Sequence, residues 1–220
     1  MVAWAVQVPS HSSHRSSNAF VVHGLWSDAL AWQVTLFMGL ESALAYIVFG
    51  WLPIILRSRG MDAIDAGFVF ALSALGQAIG ALVALTIATR GTDQRSINVI
   101  LTGLCLASLM GCIFAPILSV WIWAIILGAS IGSLFALALT MIVLRAPDAH
   151  VASHLSSMAQ SIGYLLASCG PFVAGLLYAW SDNRNTVAVF SVLIGFGLAL
   201  SGIGAGRAIH VEAVSSPLAL

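Results

Sequence analysis

Glu41, Gln77 and Gln160 are polar side chains set deep in apolar runs, with Tyr46 and Tyr164 on two of the same runs. Together they offer one carboxyl, two primary amides and two phenols, groups that exchange hydrogen bonds with a small solute. The carboxyl could also carry a proton or meet a cationic group. The two amides are related by a repeat: Leu72-Ser73-Ala74-Leu75-Gly76-Gln77-Ala78-Ile79-Gly80-Ala81-Leu82-Val83-Ala84 returns 83 positions later as Leu155-Ser156-Ser157-Met158-Ala159-Gln160-Ser161-Ile162-Gly163-Tyr164-Leu165-Leu166-Ala167. Asp65-Ala66 and Asp148-Ala149 keep the same offset, which predicts two helices that start on an Asp cap. Each helix carries its Gln twelve residues in, roughly 18 Å along the axis. That is near the middle of a bilayer about 30 Å thick, where an uncompensated amide is expensive.

The elements that position these groups are membrane helices. The chain has 220 residues, 60% hydrophobic and 7% charged, with a mean hydropathy of +1.02, far from a domain whose surface is charged and wet. Apolar runs at 30–56, 66–89, 97–115, 117–144, 155–180 and 186–206 each approach or exceed the length that a spanning helix needs. Runs of this length and Gly/Ala content are helices rather than barrel strands, because each backbone group in lipid must be satisfied within its own segment. The expected fold is an all-α membrane protein with a six-helix transmembrane bundle over residues 29–206. Residues 1–28, rich in Ser and His, read as a disordered cytoplasmic lead-in without the apolar core of a signal peptide, and 207–220 as a short mobile cytoplasmic tail.

With six spans both termini share a side, and that side holds Arg15, Arg90, Arg95, Arg145 and Arg207 against Arg57, Arg59 and Arg184 on the other. This bias places both termini in the cytoplasm. Trp26 and Trp32 at the start of the first run, and Trp51, Trp121, Trp123 and Trp180 at run ends on the opposite side, fit the preference of indole for the interface.

Three crossings separate the second span from the fifth, so the repeated helices run in opposite directions, a 3+3 inverted repeat. Inverted triplets with polar groups at the midplane are the mark of secondary transporters and of aquaporin-like channels. The Asn-Pro-Ala signature of the channels is missing, since the chain has no Asn-Pro. The third and sixth spans carry small hydroxyls and apolar side chains and are expected to support the others. Gly76 with Gly80, and Gly128 with Gly132, have the GxxxG spacing of close helix packing.

Other chemistries find little footing. Gly128-Ala129-Ser130-Ile131-Gly132 matches GxSxG, but the six histidines lie outside the apolar runs and the chain has no Lys, so no base is at hand for Ser130. His150 and His154 lack a further ligand. Cys105, Cys112 and Cys169 have no ligand spacing and read as small apolar residues. No Walker loop, HExxH or dinucleotide fingerprint occurs, so neither enzyme chemistry nor a cofactor is expected. A formal net charge of zero gives no sign of a nucleic-acid partner.

Several segments are similar to a known family. Ala31-Trp32-Gln33-Val34-Thr35-Leu36-Phe37-Met38-Gly39-Leu40, then Trp51-Leu52-Pro53 and Arg59-Gly60, resemble the seventh helix and outer loop of the cyanate/nitroimidazole (CynX/NimT) type of the major facilitator superfamily. The repeat segment 155–167, with Gly170-Pro171 and Gly175, resembles that family's eleventh helix, and Leu134-Phe135 through Leu144-Arg145 its tenth. The resemblance implies the carboxy-terminal six-helix half of a twelve-helix secondary transporter in a bacterial inner membrane. Such a half moves a small solute, for example a small anion such as cyanate, against a second half supplied by a homodimer or a separate chain. Glu41, Tyr46, Gln77, Gln160 and Tyr164 would then face the solute, with Glu41 tuning proton or ion coupling where the family usually has an amide. The alternative is a truncated, non-transporting membrane fragment.

Overall fold

The structure, a computed structural model, describes residues 20–88 and 91–217. Six helices follow one another: α1 Ala29–Ser58, α2 Ala63–Ala88, α3 Arg95–Phe114, α4 Val120–Leu144, α5 Ala149–Ser181 and α6 Arg184–Ala205. Each is long and apolar enough to cross a membrane. Two short strands, β1 Phe20–His23 and β2 Val214–Pro217, pair antiparallel beside the start of α1 and the end of α6.

Several helices are longer than their apolar runs, because polar caps extend them. The Asp148 carboxylate accepts hydrogen bonds from His150 N and Val151 N and starts α5 six residues before the expected 155. At the other repeated helix the expected cap is corrected. Asp62 accepts from Asp65 N at 2.7 Å, so α2 begins at Ala63 and Asp65 lies in its first turn. The extended ends also place Arg57, Arg95, Arg184, His150 and His154 on terminal helical turns.

Packing follows the repeat. α1 lies chiefly on α5, and α4 on α2; next come α1 on α6 and α4 on α3, while α3 and α6 meet behind. Exchanging the first three helices for the last three maps this pattern onto itself, the relation an inverted triplet repeat demands. α1 and α4 form the middle, with Phe37 and Leu44 on α1 and Leu127, Leu134 and Met141 on α4 almost fully buried. α2 and α5 are the least buried of the six.

Small residues set the distance between the paired helices. Gly80 and Gly163, equivalent in the repeat, both stand where backbones nearly touch, Gly80 against Ala129 and Gly163 against Gly39. In return Gly128 and Gly132 of α4 press on the backbones of Ser73 and Gln77 of α2. Van der Waals contact of this closeness is what holds helices together where lipid competes for every apolar surface. Ser130 in the same stretch donates to Ile126 O at 2.8 Å, within its own helix.

The sheet end is fastened by both carboxylate caps. Asp28 accepts from Ala31 N with one oxygen, capping α1, and from Glu212 N at 2.6 Å with the other. Asp148 caps α5 with one oxygen and accepts from Ser215 Oγ with the other at 2.9 Å. Each cap's second oxygen and the strand pairing thus join 20–28 to 207–217, within the segments expected to be a disordered lead-in and a mobile tail; residues 1–19 lie outside the described residues. Nearby, the buried Arg145 guanidinium donates to Ala205 O, Gly206 O and Gln94, closing α4 onto the ends of α3 and α6. Burial draws the pKa of Arg145 down, and Asp93 partly offsets this.

Hydrogen bonds from Val151 N, Ser215 and His150 N hold the Asp148 carboxyl below its usual pKa. A lowered carboxyl pKa stabilises the fold above the unfolded value, and the gain disappears as pH falls through the folded value. The clamp is therefore intact at neutral pH and opens only in strong acid. Asp148→Ala at pH 7 is expected to destabilise the start of α5 through the lost cap. It should also speed protease cleavage after Arg207, measured by limited trypsin digestion; a tail cleaved at the native rate would refute the clamp.

Candidate functional site

At half depth α1, α2, α4 and α5 diverge around a cavity of about 370 Å³. α1 contributes Glu41, Ser42, Tyr46 and Phe49, α2 Gln77, α4 Phe135 and α5 Tyr164. Ala74, Ala78, Ala81 and Gly132 leave the space open by having almost no side chain. The close approach of Gly132 to the Gln77 backbone fixes where the amide starts from.

Glu41 is 2% exposed, and Ser42 Oγ donates to its Oε2 at 3.2 Å. Cys105 on α3 and Tyr164 on α5 are titratable groups within electrostatic reach of it. Among the described residues no cationic side chain lines the cavity. Tyr46 and Phe49 lead outward along α1, their rings 6.4 Å apart, and Phe49 meets Phe70 of α2 edge to face at 6.1 Å. The result is a carboxyl at the base of an aromatic, hydroxyl-bearing wall.

Four of the five residues singled out from the sequence, Glu41, Tyr46, Gln77 and Tyr164, thus line one cavity. Gln160 does not. It stands one turn nearer the sheet end of α5, and its Nε2 donates to Ser156 Oγ at 2.7 Å. Sequence reasoning missed Ser42, Phe49 and Phe135. For the first two a signal existed, since Ser42, Tyr46 and Phe49 follow the four-and-three spacing of one helix face. Among the described residues no group of three His, Cys, Asp or Glu could hold a metal.

Half-depth polar groups between two inverted helix triplets are the transporter arrangement. A Major Facilitator Superfamily profile matches residues 1–171. The chain belongs to this superfamily. Among its relatives, the 2-nitroimidazole transporter of Escherichia coli K12 is 38% identical over 201 residues, 90% of this chain and 50% of the relative. An uncharacterized transporter of Bacillus subtilis 168, YycB, is 34% identical over 208 residues, covering 94% and 52%. The cyanate transport protein CynX of E. coli K12 is 30% identical over 168 residues, covering 76% and 44%. The chain spans about half the length of the curated relatives it matches. Membership of the superfamily's cyanate/nitroimidazole type agrees with the resemblance seen in the sequence, and the six-helix bundle is consistent with half of the superfamily fold.

Proposed function

We propose that this chain is one six-helix half of a secondary transporter, which moves a small solute by alternating access around the α1–α2–α4–α5 cavity. The observation that carries the reading is a half-depth cavity between membrane-length helices whose mainly apolar lining holds Glu41, Ser42, Tyr46, Gln77 and Tyr164 together. Gln77, Tyr46 and Tyr164 contact the solute, and Glu41 couples its movement to a proton or another ion. Alternating access needs an opposed bundle across the open side of the cavity, so a second six-helix half completes the pathway. The sheet end faces the cytoplasm of a bacterial inner membrane, in keeping with the Arg bias.

A small anion such as cyanate has little to hold it in this half, where only neutral donors accompany the carboxyl.

The proposal is tested by uptake of labelled 2-nitroimidazole and cyanate into vesicles containing the chain. Gln77→Ala removes a cavity hydrogen bond and is expected to weaken uptake about five- to tenfold. Gln160→Ala, outside the lining, is expected to cost less. Equal losses, or none in either variant, would refute the assignment of the cavity.

A further inference from the structure

We propose that the cavity is built for a small organic cation, of the ammonium, amidinium or guanidinium class, bound by Glu41 within an aromatic cage. This rests on the transporter reading of the same cavity and goes beyond it by naming the class of solute. Among the described residues the ionisable groups of the lining are one carboxyl and two phenols, with no Arg or His, and the chain has no Lys. Tyr46, Phe49, Phe135 and Tyr164 contribute four aromatic side chains to the same lining. The faces of such rings attract cations through the negative centre of the ring, and the attraction grows when water is excluded. Ser42 holds one carboxylate oxygen at the cavity base. A planar cation could take the carboxylate at one edge and place its apolar body between the rings.

An anion meets the opposite situation, since Glu41 repels it and no positive side chain in the described lining offsets the repulsion. The aromatic line continues from Tyr46 through Phe49 to Phe70 toward the end remote from the sheet. A cation can follow that line by stacking from ring to ring. When the carboxyl takes up a proton, it releases the cation. Tyr46 and Tyr164 around the cavity and Cys105 behind Glu41 on α3 are the other titratable groups near it, and in their neutral forms none replaces the lost charge. Proton and cation therefore compete for one site, which makes exchange of one for the other the natural transport mode.

The test uses three probes of one shape and different charge: benzamidinium, benzamide and benzoate. Each is equilibrated by dialysis with the chain in nanodiscs of zwitterionic lipid, and empty nanodiscs are subtracted. Saturable benzamidinium binding is expected, with benzamide weaker and benzoate not competing. Glu41→Gln keeps the shape of the side chain and should weaken benzamidinium about tenfold or more. Tyr164→Leu removes a ring without touching the carboxyl and should weaken it by a smaller factor. Binding of benzoate equal to that of benzamidinium, no saturable binding of any probe, or unaltered benzamidinium binding in Glu41→Gln would each overturn the inference. A flux assay in proteoliposomes separates the two levels. Benzamidinium that binds without crossing would count against transport by this chain and leave the site intact. Benzoate flux without benzamidinium binding would leave a transporter and remove the cation site.

Discussion

Gly132→Val is expected to abolish the folded bundle, leaving no monodisperse protein after detergent extraction. A Cβ at position 132 would meet the Gln77 carbonyl, carbon and Cα well inside contact distance, and all three are backbone atoms that no rotamer change can move. The neighbouring Gly128 faces Ser73 in the same way, so α2 and α4 cannot slide to make room. Relief requires separating the two helices that share the largest interface in the molecule. Apolar surface released there gains nothing from lipid, which is already apolar, and the lost packing has no substitute. Gly103→Val provides the control, because a Cβ at that position on α3 meets nothing within 4 Å. Size-exclusion profiles of the two variants should differ completely; a monodisperse Gly132→Val would mean that α2 and α4 pack less tightly than the structure shows.

Glu41→Gln is expected to make solute movement independent of pH. Glu41 is the carboxyl of the cavity lining, and its replacement keeps shape and hydrogen bonding but can neither bind nor release a proton in the working range. In the native chain cation binding is expected to rise with pH, because ionisation of the carboxyl would create the charge that holds the cation. One proton exchanged per solute across a one-unit pH gradient supports about tenfold accumulation. The variant should let solute equilibrate without accumulating. Flux measured at a series of pH values checks this, and a variant that keeps the native pH profile would remove Glu41 from coupling.

Much of the fold was legible because lipid imposes a blunt rule: an apolar run of about 20 residues must be a helix. The repeat was legible too, and the structure shows why its glycines persist. Gly80 and Gly163 mark equivalent helix crossings, so their match records packing as well as any solute contact. The same repeat misled on the caps and on Gln160. Asp65 matches Asp148 in position, yet Asp62 takes the capping role because it lies three residues ahead of an available N–H. Gln160 matches Gln77, but the cavity is not symmetric about the repeat, and on α5 Tyr164 occupies the lining while Gln160 bonds along its own helix. Phe135 gave no warning, since an aromatic residue in an apolar helix reads alike whether it faces lipid or a cavity. The contacts of Asp28 and Asp148 with the tail join residues far apart in sequence, and no local pattern encodes them.

Access to the cavity from both sides of the membrane can be measured without knowing the solute. Ala78 lines the cavity, and its small side chain can become Cys with little change in volume. With exposed Cys169 replaced by Ser, the remaining native thiols, Cys105 and Cys112, are buried. A membrane-impermeant maleimide is then applied to right-side-out and to inverted vesicles carrying Ala78→Cys. Alternating access predicts labelling from both faces. Labelling from one face only, or from neither, would contradict it.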